Sequence, residues 1–575
     1  MEIKFRGGIP KTNRVRFTGG MQGSPRPSYA ELEASLIRAG GVIAMQDTVI
    51  NGLTTRVEHF EALDAVRKEV INALAAKVRG QGDEIARLKK LPARPKLKKS
   101  LSMEKPKPRG GGKKPHGKRG ATKPLLTNVT EVRLTITPPP DSEFKGWLPF
   151  MVQELGSFDG PKATLYLRQW WKTTDGEYIK APLPDGIRGY HFSPNLRRYA
   201  IFLHHDCRMT IANVLKALKV HGVIISKSEI VGILNDKDHK KFDDEIMEVL
   251  RIALQKAGWI TVDDTGARHK GRNGYTTQIG NDFFAFFSTT DSKSRGNFLE
   301  ILQAGLTGYV INDEALAYMR ACKLSEDVFD RLSRHPDREF ADQDAWKAHL
   351  KKLNISPGLV SDKAIKIVTQ AAIWGNIKAN GFLKDAVIVS DDAGQFKVGA
   401  HANCWVHAAR LVKKLDAVTD SQQKAVNRVL KQIWRFYRTL RRYQQKPTDS
   451  RKRYLWHRFD EIFLQKTGFV ALNEQLRRLY DNKADLLMVL EHPEIPLHTN
   501  GSENDLRSAV TRRKCSGGTW SDRGRACRDT FLGLSKTCMK LGISFWDYLG
   551  ARLKVPGAPD VGWLPDVVGQ RCESG

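Results

Sequence analysis

Cysteine is scarce and unpaired along these 575 residues. The seven present, Cys207, Cys322, Cys404, Cys515, Cys527, Cys538 and Cys572, contain no CxxC pair and no regular framework. That excludes a disulfide scaffold and fits a reducing cytoplasm. Long apolar runs are missing too. Nothing approaches the roughly 18 uninterrupted apolar residues of a membrane span, and the opening MEIKFRGGIPKTNRVRF lacks the apolar centre of a secretory signal. The third deficit is acid. Asp and Glu number 63 against 94 Lys and Arg, a net charge of +31. Such an excess disfavours a compact state unless a polyanion shares its space, so the expected partner is nucleic acid and not a membrane.

A chain of this length needs roughly two to four domains. After an arm at 1–28, residues 29–91 carry a heptad. Ile43, Ile50, Val57, Ile71, Val78 and Ile85 fall on one seam position, and Leu53, Phe60, Leu74 and Leu88 on the other. This predicts a coiled coil that pairs protomers into a homodimer or a higher assembly; an amphipathic helix packed on its own domain would give the same pattern. A basic linker follows at 92–126. From Arg87 to Lys123, fifteen Lys or Arg stand against Glu104 alone, among Pro and Gly. Such a stretch buries no core and is predicted to be disordered, with Lys113, Lys114, Lys118 and Arg119 touching DNA phosphates.

Residues 127–190 predict a small β-rich domain, with alternation at Val132, Leu134 and Ile136 and a hairpin turning near Asp175-Gly176. Residues 191–250 are helical. A helix from Thr210 to about His221 stops at Gly222, and Ser226 caps the next. This suits either a DNA-binding helix-turn-helix or a plain helical hairpin.

The chemistry begins at WITVDDTGARH. Trp259 to Val262 form a strand that runs into Asp263 and Asp264. Carboxylates at the edge of a core are costly unless a cation joins them. A second buried strand, DAVIVSDD, ends on Asp391 and Asp392, and HTNGSENDLRSAVTRRK places Glu503 in the first turn of a helix. Two strand-end aspartates and a helical glutamate make an oxygen cage able to hold two Mg²⁺ ions about 3.5–4 Å apart. Arg507, Arg512, Arg513 and Lys514 follow Glu503 and would hold phosphates.

VDDTGAR, VIVSDDAGQF followed by NCWVHAARL, and NGSENDLRSAVTRRK, in that order, resemble the DDE transposases of bacterial insertion sequences, closest to the insertion sequence sixty-six family. The resemblance is good from about residue 190 to the end, including SFWDYLGARL. It implies an α/β, RNase H-like catalytic core over 251–543, with helical insertions at 307–380 and 416–494, and leaves 544–575 as a C-terminal tail. It assigns Asp263, Asp391 and Glu503 as catalytic metal ligands. Asp264 and Asp392, where the family usually has Glu and Gly, turn to the other face by pleat alternation. The resemblance puts His407 behind the ligands and Arg410, three residues on, at the DNA. Asp313, at the end of GYVIND, competes for the second position. The family's cysteine-rich zinc segment has no counterpart in 127–190, and His401, Cys404 and His407 lack an evident fourth ligand, so zinc is not expected. KQIWRFYRTLRRYQQ interleaves aromatics and bases, either to stack on nucleobases or, the favoured reading, to pack its aromatic side inward.

The expectation is a transposase that binds the terminal inverted repeats of its element, cuts DNA with Mg²⁺ or Mn²⁺, and joins the freed 3′-hydroxyls to target DNA. It would act in the bacterial cytoplasm at the nucleoid, with accessory proteins as the resemblance suggests. The alternatives are a catalytically inactive, transposase-derived DNA-binding protein and a metal-dependent nuclease or resolvase of the same fold.

Overall fold

The computed structural model describes Asn51, Thr54 and residues 128–574, apart from 157–161, Arg188 and 237–238. The predicted arm, nearly all of the predicted coiled coil, and the linker with Lys113, Lys114, Lys118 and Arg119 lie outside the described residues. Asn51 and Thr54, off the heptad seam, are helical and exposed.

The β-rich segment is a mixed four-stranded sheet of β1 (Asn128–Leu134), β2 (Glu143–Glu154), β3 (Lys162–Lys172) and β4 (Tyr178–Lys180). β3 lies between β1, its parallel partner, and β2, its antiparallel one. β4 returns on β3 through the expected turn, where Gly176 takes the positive φ the turn needs. Four helices follow: α1 (Pro194–His205), α2 (Ile211–Val220), α3 (Lys227–Leu234) and α4 (Lys240–Lys256). Thr210 caps α2, and Ser226 with Glu229 forms a reciprocal capping box on α3, so both helices begin where their sequence signals stand.

The central sheet is built from β5 (Trp259–His269), β6 (Arg272–Gly280), β7 (Ala285–Thr290), β10 (Val387–Ser390) and β11 (His401–Asn403), in the order β11-β10-β5-β6-β7. The first three form an antiparallel meander, and β10 and β11 add as parallel strands. VIVS in β10 is buried throughout, as a central parallel strand between covered faces must be. Ile260, Val262, Ile279 and Ile388 face one core, and Val387 and Val389 face a second.

The first insertion follows α5 (Arg295–Leu302). It holds β8 (Tyr309–Val310), α6 (Asp313–Ala321), α7 (Glu326–Ser333), β9 (Glu339–Phe340), α8 (Gln343–Lys352) and α9 (Asp362–Ala379). β8 pairs with β9 in a sheet of its own. Asp313 therefore ends a strand outside the central sheet and serves in the first turn of α6 behind the Asn312 cap.

After β11 come α10 (Trp405–Lys413), α11 (Asp420–Gln445), α12 (Asp449–Phe463), α13 (Val470–Asp481) and α14 (Lys483–Leu486). In α11, Val429, Ile433, Phe436, Leu440 and Tyr443 are buried, and Phe436 packs 5.3 Å from Trp405. Phe436 and Tyr443 thus turn inward onto the second core, whereas Trp434 is exposed and Tyr437 beside it is half-buried. Finally α15 (Asn500–Ser516) and α16 (Asp522–Leu541) cover β5–β7. α17 (Phe545–Leu553) and α18 (Leu564–Ser574), the segment read from sequence as a tail, fold back onto the helices. Buried Glu245 on α4 holds them through Tyr548 Oη at 2.8 Å and Arg552 Nε at 2.9 Å.

Candidate active site

The parallel register of β5 and β10 pairs Val387 with Trp259, Ile388 with Ile260 and Val389 with Thr261. Continued by two residues, both chains reach an aspartate, Asp391 beside Asp263. Asp263 shares its face of the sheet with Thr261, two residues before it, and with its cross-strand neighbours Gln278 and Phe287. α15 lies over that face. Ser502 Oγ donates to Thr261 Oγ1 at 2.7 Å, Gln278 reaches Asp505 at 3.4 Å, and Leu506 packs with Phe287. Further along, Arg513 donates to the Gly266 carbonyl. From Ser502 to Arg513 a helix rises about 16 Å, and from Thr261 to Gly266 a strand advances about 16 Å. The helix therefore runs alongside β5, with Glu503 at the level of the strand-end acids.

α10 supplies the positive side. Cys404 caps its start, and the Thr499 N–H at the head of α15 donates to Cys404 Sγ at 3.4 Å, joining the two helix origins. One and two turns into α10 stand His407 and Arg410. Arg410 clasps Glu503 with both guanidinium nitrogens, at 2.5 and 3.2 Å, and His407 Nε2 lies 3.4 Å from the same carboxylate. This clasp holds the Glu503 carboxyl below its ordinary range, with His407 and Arg507 adding to it. The neighbouring Cys404 raises the His407 pKa against burial, and the charges of Glu503 and Asp391 add to the rise. Burial opposes ionising Cys404, but His407 outweighs it and lowers the thiol.

Asp263 is the uncompensated member. Burial first, with Asp391 adding, pushes its pKa up to about 6, against a 2.7 Å hydrogen bond from the Asp264 N–H and the charge of His407. Asp264 turns the other way, as alternation requires. It pairs with Lys293 and accepts from Gln395 at 2.9 Å. Asp392 pairs with Lys397 at 2.6 Å and accepts from Asn482 at 3.3 Å. The second acid of each pair is thus neutralised by its own lysine, while the first of each is left facing the other.

Asp263, Asp391, Glu503, His407 and Arg410 therefore share one neighbourhood, with Arg410 on Glu503. The oxygens of the three acids do not all lie within 4.8 Å of one another. Two ions about 4 Å apart, each about 2 Å from its ligands, can bridge carboxylate oxygens up to roughly 8 Å apart. His401 leaves the group, bonding Ser390 Oγ at 2.8 Å and Asp485 at 3.1 Å, which parts the trio His401, Cys404, His407.

The basic residues after Glu503 divide. Arg507 and Lys514 are exposed. Arg512 is buried and donates to the His204 and His205 carbonyls, and burial lowers its pKa to about 10. Beside β5 a cavity of about 570 Å³, separate from the acids, is lined by Arg268, Arg513, Arg528, Lys227 and Thr265, with the exposed Trp520 at it. Lys293 and Gln395 escaped sequence reasoning as partners of the site, and Cys404 was weighed there only as a zinc ligand. Only Gln395, inside SDDAGQF, and Cys404, inside NCWVHAARL, sat within motifs that could have flagged them.

Residues 374–526, which contain Asp391, His407, Arg410 and Glu503, match the transposase IS66 family. A curated relative, the uncharacterized protein y4jO of Sinorhizobium fredii (strain NBRC 101917 / NGR234), is 48% identical over 309 residues, spanning 54% of this chain and 96% of the relative. The chain belongs to the IS66 transposase family. Asp263 lies outside the family match, and its place in the site rests on the register of β5 against β10. Among the described residues no helix is long and apolar enough to cross a membrane.

Proposed function

We propose that this IS66-family protein is a DDE transposase that cuts DNA at the ends of its element and joins them to a target. The observation that carries the reading is the alignment of Asp263 with Asp391 on neighbouring parallel strands, under a helix whose first turn presents Glu503. The strand order, a three-stranded meander extended by two parallel strands, supports an RNase H-like core.

The donor set suits hard divalent cations. All three groups are carboxylates, and the raised pKa of Asp263 marks negative charge without a matching cation. Asp263, Asp391 and Glu503 would hold two Mg²⁺ (or Mn²⁺) ions. When bound, the ions would supply Lewis-acid activation of the attacking oxygen and stabilise the leaving oxygen of the phosphodiester. The protein's own groups do the rest. Arg410 keeps Glu503 ionised and aimed at the site and, once the carboxylate turns away, offers its guanidinium to a DNA phosphate. His407 sets the charge between Glu503 and Asp391. Lys293 and Lys397 hold Asp264 and Asp392 out of competition. Hydrolysis frees a 3′-hydroxyl, which attacks the target phosphodiester, and one P–O bond forms for each that breaks. Arg507, Lys514 and the rim of the cavity, with the basic linker, would grip duplex DNA, and the coiled coil would bring two ends together. That substrate places the protein at the nucleoid; accessory proteins are part of the proposal.

Incubating the full chain with labelled element-end DNA and Mg²⁺ tests the reading. Cleavage with joining supports it. Cleavage alone would make the protein a nuclease or resolvase, and binding without cleavage a transposase-derived DNA-binding protein.

A further inference from the structure

We propose that the first insertion carries a zinc site, formed by His335, Asp337 and His349 and separate from the acid cluster. One donor atom from each of the three lies within 4.8 Å of the others. His335 and Asp337 stand on the loop between α7 and β9, and His349 on the last turn of α8, so the site joins two pieces of chain that no strand pairing links.

His349 is 5% exposed, and its Nε2 is enclosed without a hydrogen-bond partner. An unmade bond of that kind costs on the order of 1–3 kcal/mol. The ring cannot swing out to water, because Phe340 packs 4.3 Å from it and Trp346 5.9 Å. Trp346 is itself fixed, stacked on Tyr309 at 5.6 Å and donating to Thr369 Oγ1 at 3.2 Å. His335 presents its ring edge-on to His349 at 4.7 Å. Its Nδ1 accepts the Asp337 N–H at 3.1 Å and lies 3.7 Å from the Asp337 carboxylate. That nitrogen has no proton to give the carboxylate, and its one lone pair is taken by the N–H, so Asp337 gains no hydrogen bond from the ring. A cation resolves both this and the orphaned imidazole. Lys352, 3.7 Å from Asp337, is 65% exposed, which makes it easily displaced.

The donor set selects the ion. Two imidazoles and a carboxylate suit Zn²⁺, whereas Mg²⁺ and Ca²⁺ prefer all-oxygen shells. Tetrahedral bonds of about 2.0–2.1 Å set donors about 3.3 Å apart, so the cluster must contract by about 1.5 Å at most. Side-chain rotation of the exposed Asp337 and the half-buried His335 supplies that movement. Water takes the fourth position. The ion would clamp the loop and β9 onto α8, and so brace the insertion between the first two acids.

The test uses the full chain, stripped with a chelator and titrated with Zn²⁺ in competition with a chromophoric indicator, and separately with Co²⁺ to read its visible spectrum. One tight equivalent is expected. It should weaken on the order of 10–100-fold or more in Asp337→Asn and His335→Gln, both of which leave the buried ring in place, and persist in Asp263→Asn. Circular dichroism of each variant separates ligand loss from misfolding. Absence of a tight equivalent, or one unchanged in both variants, overturns the proposal, as does one lost in Asp263→Asn or in His407→Asn. DNA cleavage is not part of the readout, so the outcome is independent of the proposed transposase activity.

Discussion

Replacing Asp263 by asparagine should stabilise the protein at neutral pH and do progressively less in acid. Burial first, with Asp391 adding, holds this carboxyl at about 6 against an ordinary 3.8. A group whose folded pKa is raised binds more protons folded than unfolded, so stability falls as pH rises from about 3.8 through 6. Each pKa unit is worth about 1.4 kcal/mol, which makes the full penalty about 3 kcal/mol above pH 7 and about 1 kcal/mol at pH 4.5. Solvent still reaches the site, so these are upper figures. With an unfolding entropy of about 2.1 cal/mol/K per residue over roughly 450 residues, each kcal/mol moves Tm by about 1 °C. Calorimetry in a chelator should therefore show the variant's advantage growing by about 2 °C between pH 4.5 and pH 7.5. Mg²⁺ should shrink that advantage at pH 7.5 by stabilising the native carboxylate. An advantage that is flat with pH, or one that grows toward acid, would refute the reasoning, because asparagine carries no titration of its own.

Asp391→Asn and Glu503→Gln should each abolish Mg²⁺-dependent cleavage of element-end DNA while a mobility-shift assay finds binding nearly unchanged. Arg410→Gln releases Glu503; calorimetric Mg²⁺ titration should then show severalfold tighter binding, and unchanged affinity would mean the arginine does not compete with the metal. Arg552→Met strips the charged partner from a Glu245 carboxylate that is 1% exposed, and should cost about 3–5 kcal/mol, seen as a Tm loss of several degrees. Gly375→Ala would place a methyl 2.2 Å from the Val310 carbonyl, so the α9–β8 contact must open and limited proteolysis should cut the insertion first.

Much of the local structure was legible in the chain. Thr210, Ser226 and Gly222 marked helix limits because capping and left-handed turns are settled by a few neighbouring residues. The buried run VIVS and the acids closing both strands were equally plain, as was the alternation that sends Asp264 to Lys293 and away from Asp263. What sequence could not supply was partnership across distance. Lys293 reaches Asp264, Arg410 takes hold of Glu503 where a DNA contact was expected, and Arg512 is drawn inside onto two carbonyls. His335 and His349 meet from different elements, and Asp313 is set aside because its strand joins another sheet. Spacing along a chain determines which face of a strand or helix a side chain occupies. Which faces then meet depends on how the two cores close around the sheet, and that packing alone decided which acid was left without a cation.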